Sequence, residues 1–344
     1  MGLRDYVIIR VLLTIPLVLI LLSVVFLLIR VLPGNPCLLK FEHNLDPQDL
    51  ATCERSLGLS KPLYVQFAEY FVGLFRGNLG LSMVDFQPVS AQIVSRFPAT
   101  IELTLYAFLI AVVVGIVLGS LGATKRGSVT DGAVKVIGIL LYSWPVFFLG
   151  LIFQLIFGVY LHWLPTSGRL CPGCQVPQGL TIGSVHIQTG LYTVDSVLAG
   201  NLSAFVDSVS HLILPATALG LVISGVFIRI TRTNMLETLR ADYVTAARAR
   251  GLKGRTVVYG YALRNALLPV VTVMGLQFAL LLSGAVLTET EFNIDGLGRF
   301  LVDRVNYLDY TAIQGAVVFI AILIATVALL IDILYAYLDP RVRL

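Results

Sequence analysis

Charge is scarce in this sequence. Only 13% of its 344 residues are Asp, Glu, Lys or Arg while 57% are apolar, against about 25% and about 45–50% in soluble domains. That deficit excludes an ordinary water-soluble globule. The long apolar stretches show no apolar/polar alternation, which excludes a transmembrane β-barrel. A Gly-x4-Gly-Lys-Ser/Thr phosphate loop is missing, the nearest stretch being "GSLGATKRG", so the chain holds no ATPase site of that kind. His-Glu-x-x-His and Gly-x-Ser-x-Gly are missing too, and the four histidines (His43, His162, His186, His211) are scattered. An enzyme has little here to work with. The sequence also lacks tandem repeats and low-complexity tracts.

What is present in excess is apolar length, with a mean hydropathy of +0.88. Six runs, Ile9–Leu32, Ala99–Gly122, Val134–Leu161, His211–Ile230, Leu267–Leu287 and Ala312–Leu338, can each cross a hydrocarbon core of about 30 Å as a helix. The third run holds Pro145 and is expected to kink. The first exceeds the apolar core of a usual signal peptide (about 7–15 residues) and lacks a small-residue cleavage site, so an uncleaved span is expected. Tyr6 stands where a myristoylation signal needs Ser or Thr.

Basic residues set the expected orientation. With the N-terminus inside, segments 1–8, 123–133, 231–266 and 339–344 and the adjoining span ends carry 15 Lys/Arg against 5 Asp/Glu. The longer outer segments carry 9 against 13. Both termini are then cytoplasmic. The expected organisation is a first span (1–32), an outer region (33–98) with a helix around "LYVQFAEYFVGLF", and a five-span core (99–338). The inner loop 231–266 interrupts that core, and a short inner tail (339–344) follows it. A second outer loop, His162–Ser210, is rich in Gly, Thr and Ser, and a third, "TETEFNIDGLGRFLVDRVNYLDY", is acidic with a turn at Gly296–Gly298.

Cys37, Cys53, Cys171 and Cys174 all fall outside. Three readings stay open: local disulfides on an oxidising face, with "CPGC" closing on itself; reduced packing cysteines; or a zinc or redox site. Of the ionisable residues within the spans, only Glu102 and Asp332 qualify as functional candidates. Both lie near a boundary, where hydroxyls or an Arg can satisfy them, Arg341 and Arg343 in the case of Asp332. No carboxylate or histidine relay sits near the midplane. Energy for transport comes from elsewhere, or the path is passive.

The inner loop 231–266 holds seven Lys and Arg. Asp242 is placed to N-cap a short helix from Tyr243 to Arg250, stopped by Gly251. Ala246, Ala247 and Ala249 give it a small-residue surface flanked by Arg248 and Arg250. A second helix, Arg255–Asn265, is expected to lead to a fifth span beginning at Pro269. Positive-inside anchoring or a helix lying on anionic lipid would explain the charge alone. A lipid-lying helix would want Leu, Phe or Trp where this one has alanines.

"TAARARG" followed by "ALRNALLP" resembles the coupling loop of binding-protein-dependent ATP-binding-cassette permeases. "RVLLTIP", "LGLSKPLYVQF", "GNLGLS", "FPATIELTLYA", "LILPATALG", "RITRTNMLETLRADYVTAARARGL", "LTETEFNIDGLGRFLVD" and "LLIDILYAYLDPRVR" extend the likeness to the first permease of dipeptide, oligopeptide and nickel importers. The resemblance implies an all-α polytopic fold of the type I importer class in a prokaryotic inner membrane. It implies a translocation subunit for short peptides, with the same architecture serving oligosaccharides or nickel as the alternative. The implied partners are a second permease, a paralogue, two ATPase subunits or domains, an external binding protein and the bilayer, with no nucleic acid. It implies no cofactor in this chain, ATP and Mg being bound by the ATPases. Asp242, Thr245, Ala246, Ala247, Arg248, Arg250, Gly251 and Leu252 would form the coupling surface, with Thr245 where the motif carries Glu. Glu289, Phe292, Gly296 and Gly298 would shape the outer gate, with Asp295 where Pro is usual. The Cys37–Cys53 stretch is extra. A secondary transporter or channel, or a non-transporting scaffold or receptor, would lack an ATPase partner altogether.

Overall fold

The computed structural model describes residues 3–31, 60–182, 185–282 and 285–338, with residues 48, 52 and 55. Cys37, Cys53, the 339–344 tail and its Arg341 and Arg343 lie outside the described residues. Twelve α-helices are described: α1 (Leu3–Val31), α2 (Leu63–Phe75), α3 (Val89–Thr124), α4 (Val129–Ser143), α5 (Val146–Phe153), α6 (Tyr192–Leu198), α7 (Leu202–Thr238), α8 (Asp242–Ala249), α9 (Arg264–Leu282), α10 (Val286–Glu291), α11 (Leu297–Asn306) and α12 (Tyr310–Leu338). A hairpin, β1 (Leu180–Ile182) with β2 (Val185–Ile187), pairs Leu180 with Ile187 in the second outer loop.

Five segments are long and apolar enough to cross a membrane: α1, α3, α7, Thr256–Leu282 and α12. The bent pair of α4 with Val146–Tyr160, which joins α5 to a π-helix at Gln154–Tyr160, makes the sixth when taken as one span. The bend expected at Pro145 is present and amounts to a full break, leaving two helices at 99°. Trp144 and Pro145 both take extended backbone, with ψ of 132° and 131°. Proline removes a helical donor and pushes the residue before it out of the helical region, so the pair breaks the run. The fifth run shifts the other way. Helical structure begins at Gly254, continues as a π-helix over Thr256–Leu263 and runs through Pro269, so this proline does not mark the start of the span. The run also ends at Leu282, before the separate helix α10.

α7 is the centre of the bundle, packing most extensively on α3 and then on α4, α9, α6 and α5. Its close approach to α3 follows from a stripe of small residues one turn apart: Ala107, Ala111, Gly115, Gly119 and Ala123, all buried. A Cβ on Gly115 would lie 2.3 Å from the Phe227 Cβ, and one on Gly119 would lie 2.7 Å from the Thr231 Cβ. Helices in lipid gain little from apolar burial alone, so close backbone contact supplies the packing. α1 stands apart, touching α12 and setting Phe26 against Phe67 and Tyr70 of α2.

Candidate functional site

At the end that charge assigns to the inside, α8 hangs from a compact patch. Val244 and Ala247 point inward, 0% and 4% exposed, onto Ala123, Met235, Val257, Ala262 and Ala266. Thr245, Ala246, Arg248, Ala249, Arg250, Gly251 and Leu252 are exposed. The helix ends in a paired cap: Leu252 N–H donates to the Ala247 carbonyl and Gly251 N–H to that of Arg248. Gly251 sits at φ +74°, a left-handed position that this cap requires. Two expectations are corrected. Asp242 is the first residue of the helix, and the cap position is Ala241, with no side-chain cap. Ala247 is not on the outward surface; it is one of the two buried residues that fix α8 to its own chain.

At the opposite end, which charge assigns to the outside, the acidic motif closes on itself. Glu289 is 0% exposed, and its carboxylate accepts hydrogen bonds from Thr100 Oγ1 at 2.7 Å and Arg299 N at 3.0 Å. Thr100 in turn accepts from Leu297 N at 2.8 Å. The carboxylate and the hydroxyl between them serve the free amides at the start of α11, where a helix favours negative charge. Burial pushes the Glu289 carboxyl above its ordinary range, while the Arg299, Thr100 and Gly298 hydrogen bonds pull it back. Gly296 and Gly298 give it room: a Cβ on Gly296 would lie 2.5 Å from Glu289 Cδ, and one on Gly298 would lie 2.8 Å from Val286 Cα. Phe292 is buried in the main core beside Leu103 and Leu281. Asp295 bonds Arg96 at 3.0 Å on the exposed rim, so the position usually held by Pro carries a surface ion pair instead.

Glu102 is also buried, paired with Arg169 Nη2 at 2.6 Å and accepting from Thr193 N and Oγ1, each at 2.7 Å. Arg169 lies 3.6 Å over the Tyr192 ring, so the second outer loop is tied to α3. That loop also holds a Cys171–Cys174 disulfide, anchored where Asp207 accepts from Cys171 N at 2.8 Å. Asp332 is half-buried on α12.

Sequence reasoning missed one cluster. Arg304 reaches Asp85 at 2.7 Å, Gln92 at 2.8 Å and Asp309 at 3.4 Å. Asp309 also accepts from Ser82 Oγ at 2.5 Å and Met83 N at 3.0 Å. Burial opposes ionisation of Asp85, yet the Ser82 and Arg304 hydrogen bonds hold its carboxyl down at about 2. A signal was available, since Asp309 caps α12 by accepting from Ala312 N and stands just before an apolar run.

Two family profiles cover almost the whole chain: the binding-protein-dependent transport system inner membrane component over residues 111–344, and the N-terminal part of such membrane components over residues 3–104. The chain belongs to this permease family. Among its relatives, the di/tripeptide transport system permease protein DppB of Pseudomonas aeruginosa is 43% identical over 92% of both chains. The dipeptide transport system permease protein DppB of Escherichia coli is 40% identical over 92% of both. The glutathione transport system permease protein GsiC of Salmonella choleraesuis is 37% identical over 98% of this chain and 99% of its own. The permease is a multi-pass membrane protein with the type I importer fold. Of the twelve residues expected to couple or gate, the structure brings eight together on or beside α8, and groups Glu289, Gly296 and Gly298 around one carboxylate. The two groups belong to separate packing clusters, Phe292 in one and Ala247 in the other.

Proposed function

We propose that this permease is the membrane-spanning half of an ATP-driven importer of short peptides in a prokaryotic inner membrane, with both termini in the cytoplasm. One observation carries the reading. α8 uses Val244 and Ala247 to hold to its own chain and turns Ala246, Arg248, Ala249, Arg250 and Leu252 outward on the positively charged side. A short rigid helix with a small-residue face and flanking guanidiniums suits a groove on a cytoplasmic ATPase, where Arg pairs with carboxylates. The paired cap at Gly251 keeps the helix stiff enough to pass on a rigid-body push. An external binding protein would deliver substrate, a second permease would complete the path, and ATP with Mg would bind only to the ATPases. The relatives named for di/tripeptide and glutathione transport favour short peptides over oligosaccharides or nickel.

The test is Ala246→Glu combined with Arg248→Glu in the assembled transporter. Peptide uptake should fall by at least about tenfold and separate from ATP hydrolysis, with membrane levels unchanged. A loss of one buried charge-assisted contact at an interface accounts for that size. Normal coupled uptake in this variant would overturn the assignment of α8. Failure of any ATPase subunit to copurify would instead favour a secondary transporter or channel.

A further inference from the structure

A half-open cleft of about 400 Å³ lies between α4, α7 and α9 toward the inner end, lined by Lys135, Gly138, Ile139, Tyr142 and Val226 and by Arg229, Arg232 and Gln277. Its volume falls in the range of small-ligand sites, about 300–1,000 Å³. The close approach of α4 and α7 at its floor rests on glycine, since a Cβ on Gly225 would lie 2.8 Å from the Gly138 carbonyl oxygen. Three cations face this cleft and only one carboxylate serves them. Arg232 takes both oxygens of Asp131, at 2.7 and 3.0 Å, and Lys135 reaches the same carboxylate at 3.1 Å. The Arg229 guanidinium has no acidic partner among the described residues, and neither the Gln277 amide nor the Tyr142 hydroxyl has a hydrogen-bond partner there.

Arg229, Gln277 and Tyr142 all fall inside apolar runs of the sequence. Ionisable and polar groups within membrane helices face water-filled cavities and mark substrate paths, because unsatisfied polarity in lipid is costly. We propose that this cleft holds a short peptide by its C-terminal carboxylate on the inner part of the path. Arg229 supplies the counter-charge, Gln277 and Tyr142 bond the peptide amide, and Ile139 with Val226 contacts the side chain. An anionic lipid headgroup would also be drawn to Arg229, and its phosphate oxygens accept from the amide and the hydroxyl. It brings no amide of its own and no side chain for the apolar walls, so the peptide fits the lining better. This inference rests on the importer reading above.

The experiment uses the complete transporter in proteoliposomes, with radiolabelled dialanine and its binding protein, and measures ATP-driven uptake. Arg229→Gln should lower uptake about tenfold, the value of one charge-assisted hydrogen bond, while binding-protein-stimulated ATP hydrolysis persists. Arg229→Lys should stay within about threefold of wild type because the charge remains. Arg126→Gln, an equal charge loss in the exposed turn before α4, should change nothing. If Arg229→Gln does not reach the membrane, Gln277→Leu and the cleft-filling Ile139→Trp carry the test, and wild-type uptake in both overturns the proposal. Wild-type uptake in Arg229→Gln overturns it as well. So does a defect that disappears when anionic lipid is replaced by phosphatidylcholine, which would make the cleft a lipid site. A wild type that hydrolyses ATP with its partners but takes up no peptide removes the importer reading, and this inference with it.

Discussion

Glu289 at one end of the bundle and Arg248 at the other both carry ionisable side chains, and the chain treats them in opposite ways. Glu289 is fully buried, bonded to Thr100 and Arg299, and fenced by two glycines. Arg248 is exposed on a helix held by only two buried side chains. A buried charge must find all its partners within the chain, or its desolvation goes uncompensated. An exposed charge next to a small-residue surface is left available to another molecule. The outer motif therefore reads as internal architecture, and the inner helix as an unfinished interface.

That contrast can be broken by experiment, and the largest effect belongs to the outer end. Gly296→Val should cost about 3–5 kcal/mol of stability in detergent, because its Cβ has no space beside a carboxylate that cannot leave. Near-normal thermal unfolding would mean that Glu289 is free to move. Glu289→Ala comes next, at about 2–4 kcal/mol, since Thr100 and the first amides of α11 lose their acceptor. Glu289→Gln should recover a good part of that loss by keeping one acceptor oxygen.

A smaller effect probes the inner end. Ala247→Glu should destabilise by about 1–3 kcal/mol, loosening α8 as a charge enters its buried contact. Arg248→Glu should stay within about 0.5 kcal/mol of wild type, as surface changes do. Equal stability of the two variants, measured by proteolysis of the 231–266 loop, would mean that α8 does not distinguish its faces.

The smallest effect is a pH dependence in the outer region. Both carboxylate oxygens of Glu291 are buried without a hydrogen-bond partner among the described residues, and Gly150 lies directly against them. Burial raises its carboxyl from 4.5 to about 7. A carboxyl raised on folding binds its proton more tightly in the folded state. Its contribution to stability is therefore complete below about 4.5 and is lost as pH climbs through about 7. Wild type should unfold at lower temperature at pH 8 than at pH 5, and Glu291→Gln should flatten that difference. An unchanged slope in the variant would assign the pH dependence to another group.

Much of the fold was legible in the sequence because it depends on local properties. The apolar runs gave the spans to within a few turns, and "LYVQFAEYFVGLF" coincides with α2. Gly251 is a left-handed helix stop in both the sequence reading and the structure. The misreadings share a physical cause. Pro145 and Pro269 look alike in sequence, yet the first breaks its helix at 99° and the second is absorbed. The outcome depends on the residue before the proline and on what packs around it. Ala246 and Ala247 are the same residue side by side, and only rotation about the α8 axis assigns one to solvent and the other to the core. Arg304 and Asp85 lie far apart in the chain, and no periodicity connects them.

The sequence by itself determined that this protein spans a membrane, which end carries positive charge, and that the Gly-x4-Gly-Lys-Ser/Thr phosphate loop is missing. Those properties are sums over residues, or motifs in unbroken order. Only the tertiary structure decided which charges are consumed and which are left over: Glu102, Glu289 and Asp131 are paired within the chain, while Arg229, Arg248 and Arg250 have no acidic partner among the described residues. Pairing depends on distance in space between residues that are remote in sequence, and the packing of α3, α4 and α9 around α7, with α11 against α3, sets those distances.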